Sequence, residues 1–207
     1  MLSMKGFSYI ITRDYGFAPN PFHGVCTLAT CKPIVRKNCV EGDYVIGLSP
    51  RDKGRGNKLV LLMKVTEFTT FDGYWQDPRF ECKKPVMNGS LMKLYGDNIY
   101  HHNEQGEWVQ EDSHHTKEDG SLNPRNLKRD TSTTNRVLIS DDFYYWGKEC
   151  ITLPPDIVND LTWGIGQRPL TEDVIQRVVD YVDSLGFEKG YLGEPRSFRK
   201  FKRYNGQ

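Results

Sequence analysis

No apolar run in the chain approaches the roughly 20 residues that a membrane-spanning helix needs, which excludes a helical membrane protein. No glycine-rich phosphate loop of the triphosphate- or dinucleotide-binding type follows a strand. The glycines of Arg51-Asp-Lys-Gly-Arg-Gly56 sit in a charged turn, so an ATP-driven or dinucleotide-dependent mechanism is not expected. There is no CxxC. The five cysteines (Cys26, Cys31, Cys39, Cys82, Cys150) form an odd set that reads as buried thiols in a reducing compartment. Cys26 and Cys31, taken with His101-His102 or His114-His115, match no standard zinc spacing; a His pair with Asp97 or Asp112 is the alternative for a divalent ion, and the expectation is no metal and no cofactor. The first residues lack a basic start, an apolar stretch of signal length and a small-residue cleavage site. The expectation is a mature, soluble, cytoplasmic chain with no membrane partner. Net charge is only +1, so the overall balance names no partner, and there is no internal repeat or low-complexity tract.

What is present is ample material for a core. The chain has 207 residues, 37% hydrophobic and 12% aromatic, with four Trp, eleven Tyr and ten Phe, which rules out wholesale disorder. Phe7 to Thr12 is β-branched and aromatic and reads as a strand. The segment from Arg13 to Gly24, with two prolines and two glycines, reads as an ordered loop. Strands are then expected at Val25 to Cys31, at Tyr44 to Leu48 after the Glu41-Gly42-Asp43 turn, and at Leu59 to Val65, the most apolar run. Arg51 to Lys58 reads as a polar hairpin-type connection. A short helix opens near Thr69, capped by Thr70 or Asp72. Residues 77–135 are polar and weakly periodic, anchored in pieces by Tyr95, Ile99, Tyr100 and Trp108. Strand-like character returns at Arg136 to Ser140 and Phe143 to Trp146. A late helix is capped by Thr171 and ended by Gly186, with Val174, Ile175, Val178, Val179, Val182 and Leu185 on one face. Short strands ahead of any long helix argue for a barrel-like β domain rather than a βαβ sheet.

Several blocks carry candidate chemistry, and each also admits a structural reading. Arg13 offers a planar fork for phosphate or a guanine edge, and Tyr15 and Phe17 offer stacking faces; alternatively Arg13 and Asp14 pin the loop. Asn20-Pro21-Phe22-His23 is a rigid turn that presents polar groups. Arg79, Lys83, Lys84 and Lys93 form a basic segment suited to phosphate or to solvation. Asp97, Asn98, Tyr100, His101 and His102 include an acid, an amide able to read a base edge, and bases. Asp112-Ser113-His114-His115 holds the residue types of a nucleophile–base pair. Neighbours in sequence rarely meet in triad geometry, so it is expected to join a composite pocket with Asp97 or Tyr100. Trp75, Trp108, Trp146 and Tyr144-Tyr145 are core or cage. The tail from Arg196 to Tyr204 interleaves five cations with three aromatics and suits either nucleic acid or self-packing.

The blocks Ile11 to Phe22, Cys26 to Pro33, Asp77 to Phe80, Lys83 to Pro85, Gly96 to Tyr100 and Asp112 to His115, in that order, resemble the nucleotide modification associated domain family, type 2, over Tyr9 to Gly193. That resemblance implies a nucleotide or nucleic-acid context, in the company of DNA base-modification systems of bacteria and phages, without implying a reaction. A weaker similarity, carried by Glu41 to Ile46, Leu59 to Glu67 and Phe71 to Pro78, is to PUA-like domains (EVE, YTH and ASCH). It implies a small β-barrel with an aromatic-lined base pocket.

Together these give an expected α+β fold: a PUA-like mixed β-barrel with short helices and a C-terminal amphipathic helix. It forms one domain over 1–207, with a β-rich core at about 5–147, a helical part at about 155–195 and a basic tail at 196–207. The expected role is recognition of a nucleobase, nucleotide or modified nucleic acid in a DNA-modification or defence setting. Ligand contacts are expected from Arg13, Tyr15, Asn20, Lys32, Arg79, Lys83, Lys84, Asp97, Asn98, Tyr100, His114 and His115. The alternatives are an enzyme on the same ligand class (a hydrolase, deglycosylase or amidohydrolase) using Asp14, Asp97, His114 or His115, and an accessory that partners DNA-modification enzymes. Alanine at Arg13 or Asp97 is expected to weaken binding and spare stability.

Overall fold

Leu59 to Lys64 follows its composition: it is buried on both faces and becomes a central strand. The computed structural model describes residues 4–51, 57–161 and 166–206. The expected connection from Arg51 to Lys58 falls mostly outside the described residues. In chain order the first half runs β1 (Gly6–Ile10), β2 (Cys26–Leu28), α1 (Pro33–Asn38), β3 (Tyr44–Leu48), β4 (Leu59–Lys64), β5 (Glu67–Thr69), α2 (Phe71–Gln76) and α3 (Leu91–Leu94). The second half runs β6 (Tyr100–His102), β7 (Trp108–Gln110), α4 (Pro124–Thr131), β8 (Val137–Ser140), β9 (Asp142–Tyr145), α5 (Pro155–Leu161), β10 (Gln167–Leu170), α6 (Glu172–Ser184) and β11 (Gly190–Tyr191).

Six strands form one mixed sheet in the order β10-β1-β3-β4-β9-β11. β1 runs parallel to β3, with Gly6 opposite Tyr44 and Ile10 opposite Leu48, while β3, β4 and β9 are successively antiparallel. A second sheet, β2-β8-β5, is antiparallel, and β6-β7 is a separate hairpin. The chain passes between the two larger sheets at short corners, from β4 to β5 and from β8 to β9. Among the described residues these sheets do not close on one another, so the barrel expectation is corrected to a layered α+β arrangement. The corners change sheets without pairing the outer edges.

Burial follows the layers. Tyr9, Val45, Leu61, Met63, Phe143 and Tyr145 of the large sheet pack with Leu28, Leu138 and Val35 of β2, β8 and α1. On the opposite face Ile46, Leu62 and Trp146 meet Ile157 and Leu161 of α5 and Ile175, Val178 and Val182 of α6. A third cluster is aromatic: Phe17, Phe22, Phe71, Tyr74, Phe80, Tyr95 and Tyr100 lie beneath the small sheet.

The capping expectation at α2 holds: the Thr70 hydroxyl accepts from the Gly73 N–H at 3.0 Å. α6 forms with Glu172 and Asp173 in its first turn, although Leu185 ends exposed at its C-cap rather than on the buried face. Two helices form in segments that show no helical period. α1 is too short for a period to show. α4 starts at Pro124, with the Asn123 side chain accepting from the N–H groups of Arg125 and Asn126, and it buries Asn126 and Asp130 instead of apolar residues. A hydrophobic period cannot register a helix whose inward face is polar.

Candidate functional site

A cavity of about 580 Å³ opens where β1 ends. Its walls are Tyr9, Ile10 and Ile11 of β1, the following loop (Thr12, Arg13, Tyr15, Phe17, Ala18), the Cys31-Lys32-Pro33 turn, His114 and His115, Arg129 of α4, Gln167 of β10 and Tyr204 of the tail. Three cations therefore share one concavity with four aromatic rings. The rings and cations are already in register: Arg13 lies 4.6 Å and Arg129 5.3 Å from the centre of the Tyr204 ring, and the Lys32 ammonium lies 4.6 Å from that of Tyr9. Tyr9 is buried, and among the described residues its hydroxyl has no hydrogen-bond partner.

The floor of the cavity contains an ordered polar chain. The Cys31 sulfur lies 3.8 Å from His115 Nε2, and His115 Nδ1 lies 2.9 Å from Asp130 Oδ2. Asp130 is fully buried and also accepts from the Cys31 N–H at 2.9 Å, the Tyr100 hydroxyl at 2.9 Å and Arg129 Nε at 2.9 Å. Because an ionised Asp130 can only accept, His115 Nδ1 carries the proton and Nε2 faces the sulfur.

Charge follows geometry. Burial would raise Asp130, but His115 and Arg129 hold its carboxyl well below the usual range. Burial would lower His115, but Asp130 and Cys31 raise it. Burial would raise Cys31, yet the His115 and Arg129 charges bring it below an ordinary thiol. His114, one residue away, is pulled down to about 3 by burial and by His115, so it stays neutral.

The backbone supports this placement. Cys31 and Lys32 both adopt left-handed conformations, with φ of 55° and 40°, which cost a non-glycine residue on the order of 1 kcal/mol or more. The strained pair forms the turn between β2 and α1. Arg36, fully buried, locks it: its Nε donates to the Cys31 carbonyl at 2.8 Å, Nη1 to the Arg136 carbonyl at 2.8 Å, and Nη2 to the Asp130 carbonyl.

The tail completes the wall. The Tyr204 N–H donates to the His114 carbonyl at 2.6 Å, and Asn126 Nδ2 donates to the carbonyls of Tyr204 at 2.6 Å and His115 at 2.8 Å. The Lys202 carbonyl accepts from His114 Nδ1, and Arg203 pairs with Asp112. Phe198 and Phe201 pack on the aromatic layer, so the self-packing alternative describes this part of the tail.

The expected site residues do not all meet at one place. Arg13, Tyr15, Lys32, His114 and His115 converge on the cavity. Tyr100 sits behind it and holds Asp130. Asp14 is not among the cavity walls: its carboxylate accepts from the Tyr145 hydroxyl and from the Arg196 N–H. Four others form an internal brace. Lys83 Nζ donates to the Asn20 carbonyl at 3.0 Å, Asn20 Oδ1 at 2.7 Å and the Val25 carbonyl at 2.6 Å. Asp97 accepts from Thr27 at 2.7 Å and Tyr74 at 2.8 Å, and Asn98 Nδ2 donates to the Tyr74 carbonyl at 2.9 Å. Asn20, Lys83, Asp97 and Asn98 are all buried among these partners, and none of them lines the cavity.

Arg79 forks onto Glu67 and Asp77 on the surface, and Lys84 pairs with Glu81 and covers Trp75; neither lines the cavity. The carboxylate partner of His115 is Asp130, not Asp97. Cys31 and Arg129 were not among the expected site residues. The one available signal for Cys31 was its place at the end of the expected Val25-to-Cys31 strand, which the structure shortens to Cys26–Leu28 so that Cys31 falls in the following turn.

This is an α+β protein with a basic, aromatic cavity and a thiol–imidazole–carboxylate chain in its floor. The family model described as nucleotide modification associated domain 2 matches residues 3–202, and the chain belongs to that family. No curated protein and no solved structure matches it. Among the described residues, no helix is long and apolar enough to cross a membrane.

Proposed function

We propose that the cavity binds a nucleotide, its base stacked against the Tyr15–Phe17–Tyr204 wall and its phosphate met by Arg13, Lys32 and Arg129, as part of a bacterial or phage DNA-modification or defence system. The observation that carries this reading is the convergence of three cations and four aromatic rings on one concavity. Its volume of about 580 Å³ falls within the range of ordinary small-ligand sites. Arginine suits phosphate by its paired donors, and a flat heterocycle suits the ring faces.

Calorimetric titration with deoxynucleoside monophosphates, repeated at two salt concentrations, tests the reading. Arg13→Ala should weaken binding by about 10-fold or more, the worth of a charge-assisted hydrogen bond. A single nucleotide gives a shallow salt dependence, whereas a strand lying across several cations gives a steeper one. Absence of heat with every monophosphate and with short oligonucleotides would refute it.

A further inference from the structure

We propose that the nucleotide cavity is also a catalytic centre for acyl transfer, in which Cys31 attacks an amide or ester carbon of the bound ligand, His115 carries the proton and Asp130 holds His115 in place. The proposal rests on the nucleotide reading for its substrate class, an acylated nucleobase or nucleotide.

Three elements far apart in the chain supply the three groups: the turn after β2, the 114–115 turn and α4. Their order is that of nucleophile, base and orienting carboxylate. The sulfur–nitrogen distance of 3.8 Å and the imidazole–carboxylate distance of 2.9 Å allow a proton to pass between Cys31 and His115 without rearrangement. The four-fold hydrogen bonding of Asp130 keeps it ionised and immobile. Cys26 and Cys39 show what a core cysteine looks like in this protein: both are fully buried, and burial pushes both thiols up to about 12. Cys31 differs on each count. It lines the cavity, it faces an imidazole, and it rides on a left-handed backbone that neither sheet requires. Its own N–H is committed to Asp130, so Lys32 and Arg129 on the cavity wall are the groups that would meet an oxyanion.

The reaction balances with water as the only co-reactant. The Cys31 thiolate adds to the carbonyl carbon, forming an S–C bond, and positive charge from Lys32 and Arg129 on the cavity wall offsets the oxyanion. The C–N or C–O bond then breaks, and the leaving amine or alcohol takes the proton from His115 Nε2. Water, deprotonated by His115, attacks the thioester; the S–C bond breaks, the acid departs, and the thiolate–imidazolium pair returns.

The test uses the full chain. Alkylation of each cysteine by iodoacetamide is followed by peptide mass spectrometry from acid to alkaline pH. The groups bearing on Cys31 are His115 from the 114–115 turn, Arg129 and Asp130 from α4, Lys32 from the turn before α1, Arg36 from α1, Tyr9 from β1 and Tyr100 from β6. At mildly acid pH, Cys31 should react roughly 30-fold or more faster than Cys82, as a preformed thiolate does. The protein is next mixed with p-nitrophenyl acetate and with N4-acetyldeoxycytidine monophosphate. One acetyl group should appear on Cys31 and then be lost, with deacetylated nucleotide formed. Both signals should vanish in Cys31→Ser.

The wild-type alkylation profile needs no substitution, so it stands as a measurement independent of any variant. A Cys31 rate that climbs with pH in step with Cys82, with no acetyl adduct, overturns the catalytic proposal; if dCMP still binds the same preparation, the nucleotide reading survives. An adduct on Cys31 with no binding of dCMP or dAMP supports the acyl-transfer chemistry and removes the nucleotide.

Discussion

Lys83 decides whether the basic segment at 79–84 faces ligand or braces the fold. Its ammonium is 1% exposed and donates to three acceptors, two on Asn20 and one on Val25. Burial lowers its pKa, while Asp97 works in the opposite direction. Lys83→Met keeps the apolar stem but strips three buried acceptors of their donor and leaves Asp97 without its nearest cation. Breaking a buried charged network in this way costs about 3–5 kcal/mol. At roughly 2–4 °C per kcal/mol for a chain of this size, the melting temperature should fall by about 6–20 °C. Adding Asp97→Asn should recover part of the loss, because the uncompensated carboxylate is then gone. Thermal and urea denaturation read the effect, and dCMP titration at low temperature reads binding, which should change by less than about 2-fold since Lys83 does not line the cavity. A melting temperature within about 1 °C of wild type together with lost nucleotide binding would refute the reasoning and return Lys83 to the ligand.

Arg36→Met should destabilise by about 3 kcal/mol or more, since its guanidinium is fully buried and holds the Cys31, Asp130 and Arg136 carbonyls; urea denaturation checks it, and an unchanged midpoint would show that the turn needs no such tie. Tyr204→Ala should weaken monophosphate binding by roughly 5–20-fold, the worth of one stacking face, with little change in melting; equal affinities would remove the tail from the site. Arg79→Ala should cost less than about 1 kcal/mol, because its ion pairs with Glu67 and Asp77 are on the surface. Asp130 has a depressed folded pKa, so its stabilisation is present above its unfolded value of about 4 and is lost as pH falls through the folded one. Asp130→Asn should therefore lower stability at neutral pH and flatten the acid limb of the stability–pH curve; an unchanged acid limb would show that Asp130 contributes no such linkage.

Parts of the fold were legible because local chemistry sufficed. The apolar run of β4, the turn before β3, the Thr70 cap of α2 and the amphipathic face of α6 each announce themselves within about ten residues. In the site, the loop cation Arg13, the ring of Tyr15 and the paired His114 and His115 were recognisable by residue type. α4 was not, because its inward residues are Asn126 and Asp130. The internal placement of Lys83, Asp97, Asn98 and Asn20 was illegible for a related reason: they have the same letters whether they face a ligand or the protein interior.

The sequence by itself determined that the chain has several short strands, a late helix and membership of the nucleotide modification associated domain 2 family. Only the tertiary structure decided which polar residues meet. Cys31 and Asp130 are 99 positions apart, and Cys31 and His115 are 84 apart. Periodicity reports which face of an element is buried, but a contact across that span leaves no period. Whether a cysteine is inert filling or a poised thiolate is set by the imidazole and guanidinium that folding brings beside it.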